Sequence, residues 1–344
     1  MGGAMTETKA AEQLVNSIPA SWYTDPARLA LERTAVLGRG WQYLGDATEV
    51  AEPGSYSAAD LGGLPVVATR DRAGVLRGLV NVCRHRGSVI AEGCGRRSTL
   101  QCSYHGWTYD LDGALRRSPQ LNAPEGVRLP QIAVAAVGPL LFGSADLAAP
   151  GPEPELQPFL ELVTGVAEVD LSSLRRRTRL THVIDANWKV VVENFVECYH
   201  CPLVHSQTLP GYGGGDYEVG HVGPLHTQHL ASDRFAFAHL FPNTQLSAYG
   251  NSGAFVARAL TPEGHARTRV VLDYWFVEGV ADQEAERFVD WFELVISEDI
   301  PLCESVQKGL ASGGLEAGYL GTGCERGVME FQRQLVDALE AGTP

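Results

Sequence analysis

Two short limbs, Cys83-Arg84-His85 and Cys102-Ser103-Tyr104-His105, constrain this chain more than any other feature in it. Each supplies one thiol and one imidazole, and sixteen residues separate His85 from Cys102. A Cys2His2 zinc site built from sequence-local pairs usually brings two cysteines in one limb and two histidines in the other. Matched limbs can instead face each other as hairpins and place both sulfurs on one iron and both imidazoles on the other iron of a two-iron, two-sulfur cluster. Gly106-Trp107 follows the second limb. The glycine allows the backbone to approach a cluster closely and the indole shields one side of it. Cys94 lies between the limbs but outside the pattern and reads as a structural cysteine.

A second ligand-rich stretch runs from Asn187 to His205. His200 and His205 are five residues apart, which separates them by about 140° on an ideal helix. They can share a metal only if the helix distorts or ends between them, and Pro202 is the expected break. Two histidines and one carboxylate with open positions form the facial triad of non-heme iron(II) oxygenases. The carboxylate need not be local. Glu197, three residues before His200, and Asp299, far downstream in Ser297-Glu298-Asp299-Ile300-Pro301-Leu302-Cys303-Glu304, are both candidates.

The surrounding texture gives an α+β chain. Residues 10–17 and 26–37 read as short helices, with Pro26 as a first-turn residue after Asp25. From 41 to 145 short β-rich runs alternate with turn dipeptides, and Asp112-Gly113 marks a hairpin, so this part reads as a small all-β domain. A Pro/Gly-rich stretch at 146–158 reads as a linker. Helices are expected at 158–166 and 186–203, strands at 175–185, 225–231, 244–249, 253–260 and 267–278, and a loop at Gly211–Gly215. A long amphipathic helix over about 282–310 and a last helix over about 325–341 follow. The expected division is therefore 1–37 as N-terminal helices packing on the catalytic domain, 38–150 as the cluster domain, and 151–344 as the mononuclear iron domain.

Taken together, the two motifs resemble the Rieske non-heme iron oxygenase α subunits over nearly the whole chain. The resemblance implies a Rieske [2Fe-2S] domain followed by a helix-grip catalytic domain, an antiparallel sheet with a long helix. It implies that Cys83 and Cys102 bind one cluster iron and His85 and His105 the other, and that His200, His205 and Asp299 hold a mononuclear Fe(II). By the same resemblance Glu197 bridges the two centres by contacting His105 of the partner subunit, Asn194 lies near the iron, and the assembly is a homotrimer. Many ring-dihydroxylating members carry Asp where this chain has Glu197. Glu197 within Glu-Cys-Tyr-His-Cys, with the Leu-Cys-Glu-Ser-Val-Gln run, is similar to the branch containing choline, carnitine and betaine monooxygenases. The implied activity is hydroxylation or oxidative demethylation of a small substrate, quaternary ammonium compounds included, by O2. The alternatives are an aromatic-ring hydroxylating oxygenase and a natural-product tailoring hydroxylase.

Net charge of −14 argues against nucleic acid and anionic membrane surfaces as partners. Seven cysteines, an odd number in a long chain, argue against a secreted disulfide scaffold and for a cytoplasmic protein. Residues 1–8 lack the apolar core of a signal peptide, and the uncharged run at 129–145 is short and broken by Pro130, Gly138 and Pro139. Gly213-Gly214-Gly215 follows no strand-to-helix turn and makes no nucleotide-binding fingerprint. NAD(P)H oxidation is therefore assigned to a separate flavin/iron-sulfur reductase, acting directly or through a ferredoxin. Tyr249, Phe255, Trp275 and Phe276 could form a cage for a cationic head group, although strand aromatics more commonly fill a core. His221, His226, His229, His239 and His265 read as structural or exposed.

Overall fold

The computed structural model describes residues 13–209 and 217–342. The described residues open on strand β1 (Leu14–Asn16), then helices α1 (Ser21–Thr24) and α2 (Pro26–Ala35). The Asp25 side chain accepts from the Ala27 amide to cap α2, and Pro26 occupies its first turn, where no donor is needed. Residues 13–17 of the helix expected over 10–17 do not form one. Residues 14–16 pair antiparallel with β19 (Tyr319–Gly321), whose distant position no local pattern could announce.

The next unit is all β. Strands β2 (Gln42–Asp46), β3 (Ser55–Leu61), β4 (Leu64–Arg70), β5 (Leu76–Val80) and β6 (Cys94–Arg96) come first. Strands β7 (Leu100–Gln101), β8 (Thr108–Tyr109) and β9 (Leu115–Arg117) make a small separate sheet, with Asp112-Gly113 at its hairpin. Gly113 has φ +90°, which a Cβ would penalise. Strands β10 (Gln131–Val137) and β11 (Leu140–Ser144) close the larger sheet, whose order is β2-β11-β10-β5-β4-β3-β6.

Helix α3 (Glu153–Gly165) begins inside the stretch read as a linker and carries Pro158 within it. The second large sheet has the order β12-β18-β17-β16-β15-β14-β13. Its strands are β12 (Arg175–Ile184), β13 (Tyr217–Val222), β14 (Leu225–Leu230), β15 (Phe235–Leu240), β16 (Thr244–Tyr249), β17 (Ala254–Gly264) and β18 (Arg267–Phe276). Strands β13 and β15 add to those expected from the sequence, and the loop expected at Gly211–Gly215 lies outside the described residues. Between β12 and β13 sit helices α4 (Trp188–Phe195) and α5 (Cys201–Val204). The 30-residue α6 (Asp282–Ala311) and α7 (Arg326–Gly342) finish the chain.

Period-two alternation gives this sheet two buried faces. Val256, Leu272, Tyr274 and Phe276 face a core shared with α4, α6 and α7. Phe255, Ala257 and Trp275 face the other way, onto α3 and the β2/β11 edge of the first unit. A fully buried carboxylate stitches the two units together. Asp273 accepts from Tyr43 Oη at 2.5 Å and from both Arg179 Nε and Nη2 at 2.6 Å. Burial and the Asp273 charge push the Tyr43 phenol up, so it stays a donor.

Candidate metal centres

The two limbs fold into matching turns. The Cys83 amide donates to the Ser88 carbonyl and the Gly87 amide to Cys83, while the Cys102 amide donates to Trp107 and the Gly106 amide to Cys102. All four bonds span 2.8–3.0 Å. Gly87 and Gly106 take φ +76° and +70° at the same offset from their cysteines. Gly87 repeats, four residues after Cys83, the place that Gly106 holds after Cys102, an equality already present in the sequence. Both thiols are buried. The His85 and His105 rings stand 4.7 Å apart, and Trp107 stacks flat on His85 at 5.1 Å. Burial pushes the Cys102 thiol up. The Tyr104 and His105 amides and the Cys83 thiol outweigh that and leave it below its ordinary value. Amide donors aimed at sulfur suit thiolates that bind a cluster. Cys94 lies exposed on edge strand β6, so it does not pack as a structural cysteine would.

At the second site, α4 runs only to Phe195 and residues 196–200 are irregular. Pro202 does not break a helix here. It lies second in the single turn of α5, at a position where its missing N–H goes unmissed. His200 precedes that turn and His205 follows it, with the His205 amide donating to Cys201 at 2.9 Å. One turn flanked by non-helical backbone brings together two rings that a continuous helix would splay apart. Asp299 reaches them from α6, where Pro301 removes the bond to the Ser297 carbonyl.

Ligand atoms of His200, His205 and Asp299 all lie within 4.8 Å of one another. Asp299 Oδ1 is 3.1 Å from His205 Nε2 and 3.5 Å from His200 Nε2. Each ring's other nitrogen meets a carboxylate: His200 Nδ1 is 2.5 Å from Glu197 Oε1, and His205 Nδ1 is 2.7 Å from Glu298 Oε2. Those contacts fix the tautomer that leaves both Nε2 atoms free to bind metal, the usual arrangement around ligating histidines. Asn194 Nδ2 donates to Asp299 Oδ1 at 3.4 Å. Glu197 does not enter the convergent set; it holds His200 and accepts from the Tyr199 amide. Glu298, unremarked in the sequence, is the second such support and also accepts from the Thr208 hydroxyl at 2.6 Å.

The electrostatics ask for a cation. Burial pulls His200 down, yet Asp299 and Glu197 outweigh it and raise it to about 9. Burial pushes Asp299 up, yet the two imidazoles outweigh it and lower it. The site as folded draws protons onto its histidines, and a divalent ion can take their place. Carboxylate, two imidazoles and room for further ligands fit non-heme iron(II). Cys198 and Cys201 are joined in a disulfide that brackets His200.

A cavity opens onto this site, lined by Phe195, Phe237, Tyr249, Arg258, Trp291 and Phe292 among others. Of the four aromatics considered for a cage, only Tyr249 lines it. Phe255 and Trp275 lie on the opposite face of the sheet and Phe276 is buried against Phe288 of α6. Of the five histidines read as structural, His226 and His239 are buried, and burial holds both well below the ordinary imidazole value.

Residues 40–135 match the family described as Rieske [2Fe-2S] domain, and residues 171–233 and 217–341 match the ring hydroxylating alpha subunit (catalytic domain). Chloroplastic choline monooxygenase of Arabidopsis thaliana is 31% identical over 337 residues, covering 87% of this chain and 78% of that protein. The carnitine monooxygenase oxygenase subunit of Escherichia coli K12 is 27% identical, covering 94% of each. Among solved structures, the quaternary ammonium Rieske monooxygenase CntA with L-carnitine superposes with TM-score 0.83 at 25% identity, over 94% of this chain and 96% of that one. Naphthalene 1,2-dioxygenase shares the fold, with TM-score 0.76 at 18% identity over 95% and 94%. The matched thiol–imidazole limbs, the converging His–His–Asp set and these relatives together make the chain a member of the Rieske non-heme iron oxygenases, with a [2Fe-2S] cluster and a mononuclear iron as its cofactors.

Proposed function

We propose that this monooxygenase acts on a small quaternary ammonium compound. The observation that carries the reading is the aromatic cavity opening onto the His200–His205–Asp299 set. Rings present negative faces to a cationic head group, and Phe235, Phe237, Tyr249, Trp291 and Phe292 supply them. Relatives named for choline and carnitine point the same way. In this reading Cys83, His85, Cys102 and His105 bind the cluster and His200, His205 and Asp299 bind the iron. The bound iron supplies oxygen activation, using electrons that a separate reductase delivers through the cluster.

The chain's own side chains do the rest. Glu197 and Glu298 orient the two imidazoles, and Asn194 orients Asp299. Apolar walls around Phe237 and Phe292 exclude bulk water and seat the C–H bond to be oxidised. Where that carbon is attached to nitrogen, hydroxylation gives a hemiaminal that collapses with loss of an aldehyde.

The assembly in this reading is a homotrimer in which Glu197 meets the partner subunit's His105. His105 is exposed, and so are Tyr104 at 56%, Tyr199 at 69% and Leu203 at 85%, which suits both metal edges to contact with a neighbour. The partition into 1–37, 38–150 and 151–344 and a cytoplasmic location belong to the same proposal. No helix of the described residues is long and apolar enough to cross a membrane.

The test is O2 uptake with a surrogate reductase against a panel of trimethylammonium compounds and arenes, with products identified by mass. Oxygen incorporation into a trimethylammonium compound, or aldehyde release from it, is the expected result. A cis-diol formed from an arene, with the trimethylammonium compounds untouched, overturns the reading.

A further inference from the structure

Among the described residues, Arg258 is the one arginine or lysine lining the cavity, and its position is unusual. It is 3% exposed, on β17, with its guanidinium carbon 4.0 Å from the Phe195 ring centre and 5.0 Å from that of Phe292. Phe195 ends α4 and Phe292 lies on α6, the two helices that carry Asn194 and Asp299. The guanidinium therefore sits between the elements that build the iron site.

Its hydrogen bonding is incomplete among the described residues. Nη1 donates to Gln245 Oε1 at 3.3 Å, across the β16–β17 register. Arg258 Nε and Gln245 Nε2 are both buried with no partner. Asp299 and Glu293 act on the guanidinium only through space, as do the Tyr249 and Tyr274 phenols. Asp299 is already shared by two imidazoles, and Glu293 is held by Tyr274 Oη at 2.5 Å and His182 Nε2 at 2.8 Å. Arginine and the free amide N–H offer donors and no acceptor. A buried charge without a partner is costly, and folded chains keep one where something else supplies the counter-charge.

We infer that the substrate carries a carboxylate held by Arg258, a conclusion that rests on the cavity being the substrate site. A guanidinium fork matches the two oxygens of a carboxylate. One guanidinium between two rings suits a compact monoanion. A cation with no anionic group would meet a fixed positive charge across a low-dielectric cavity, and that works against it. A zwitterion resolves the conflict: its carboxylate lies on Arg258 and its ammonium faces the remaining rings. Arg258 is thus a specificity-determining residue that separates trimethylammonium acids from the corresponding alcohols.

Four probes test this on the reconstituted holoenzyme with a surrogate reductase: glycine betaine, choline, and the tert-butyl analogue of each in which carbon replaces the nitrogen. The expected result is that the acid of each pair exceeds its alcohol in kcat/KM by about 100-fold, the scale of a buried charged hydrogen bond. Arg258→Met, which keeps a stem between the rings, collapses that ratio toward one by raising KM for the acids. The cluster spectrum and iron content confirm that the variant is folded. Alcohols processed as well as acids by the unmodified enzyme, or no response to either acid, overturns the inference without any variant. Turnover of choline but not betaine overturns it while leaving the quaternary ammonium reading intact. Turnover of the tert-butyl acid with betaine ignored sustains the inference and sinks the quaternary ammonium reading instead.

Discussion

Glu298 offers the sharpest test of how the two histidines proposed to bind iron are held. Its Oε2 is 2.7 Å from His205 Nδ1 and accepts from the Thr208 hydroxyl at 2.6 Å, so Glu298→Ala removes both contacts at once. His205 is 1% exposed, and the carboxylate is what keeps Nδ1 protonated and Nε2 facing Asp299. Losing the outer partner of a ligating histidine costs about 10–100-fold in metal affinity, roughly 1.4–2.7 kcal/mol. The Glu298 side chain is 26% exposed, so water can replace part of what is lost. The lower half of that range, about 10–30-fold, is therefore expected. Glu298→Gln keeps an acceptor and loses the charge, and falls between. The assay is anaerobic Fe(II) titration of chelator-treated protein, with the cluster absorption as internal standard of folding. If Glu298→Ala binds iron within about twofold of the parent with its cluster intact, Nδ1 orientation is not what holds the site together.

Other outcomes follow from the packing beneath the site. Lys189 Nζ pairs with Glu32 at 2.7 Å with both side chains fully buried, so Lys189→Met strands a buried carboxylate and lowers stability by about 3–5 kcal/mol in urea unfolding. Gly327 lies where a Cβ would overlap the Val196 carbonyl that ends α4, so Gly327→Ala disturbs iron retention more than cluster retention, read by metal analysis. Burial raises Glu193 to about 7, outweighing hydrogen bonds from Tyr23 and Gln332. Its folded value lies above its unfolded one, so its stabilising protonation is complete below the ordinary carboxylate range and is lost as pH rises to about 7. Glu193→Gln flattens that decline, measurable by thermal unfolding across the window.

What the sequence reveals here depends on whether a feature is local. The limbs at 83–85 and 102–105 carry their whole pattern in a few residues, and they fold as matching turns. His200 and His205 announce themselves by residue type, Asp299 is singled out from Glu197 only by the family resemblance, and α6 falls within a residue of its expected span. Features that depend on distant partners do not announce themselves. Strand β1 exists because residues 319–321 lie beside it. Pro202 looks like a helix breaker until the backbone is seen to leave the helix at Val196. Arg258 reads as one polar residue in an alternating strand, and only the helices laid over that face show that it is buried without an anion. Phe255 and Trp275 are aromatic neighbours of the cavity in sequence, yet the pleat turns both away from it.

The most direct test of the two-centre account is metal and sulfide analysis of Asp299→Ala, with reduction of its cluster by the reductase followed alongside product formation. The account predicts that the mononuclear iron alone is lost: acid-labile sulfide and cluster reduction stay at parental levels while oxygenated product disappears. Product formed at the parental rate, or cluster and mononuclear iron lost together, contradicts it.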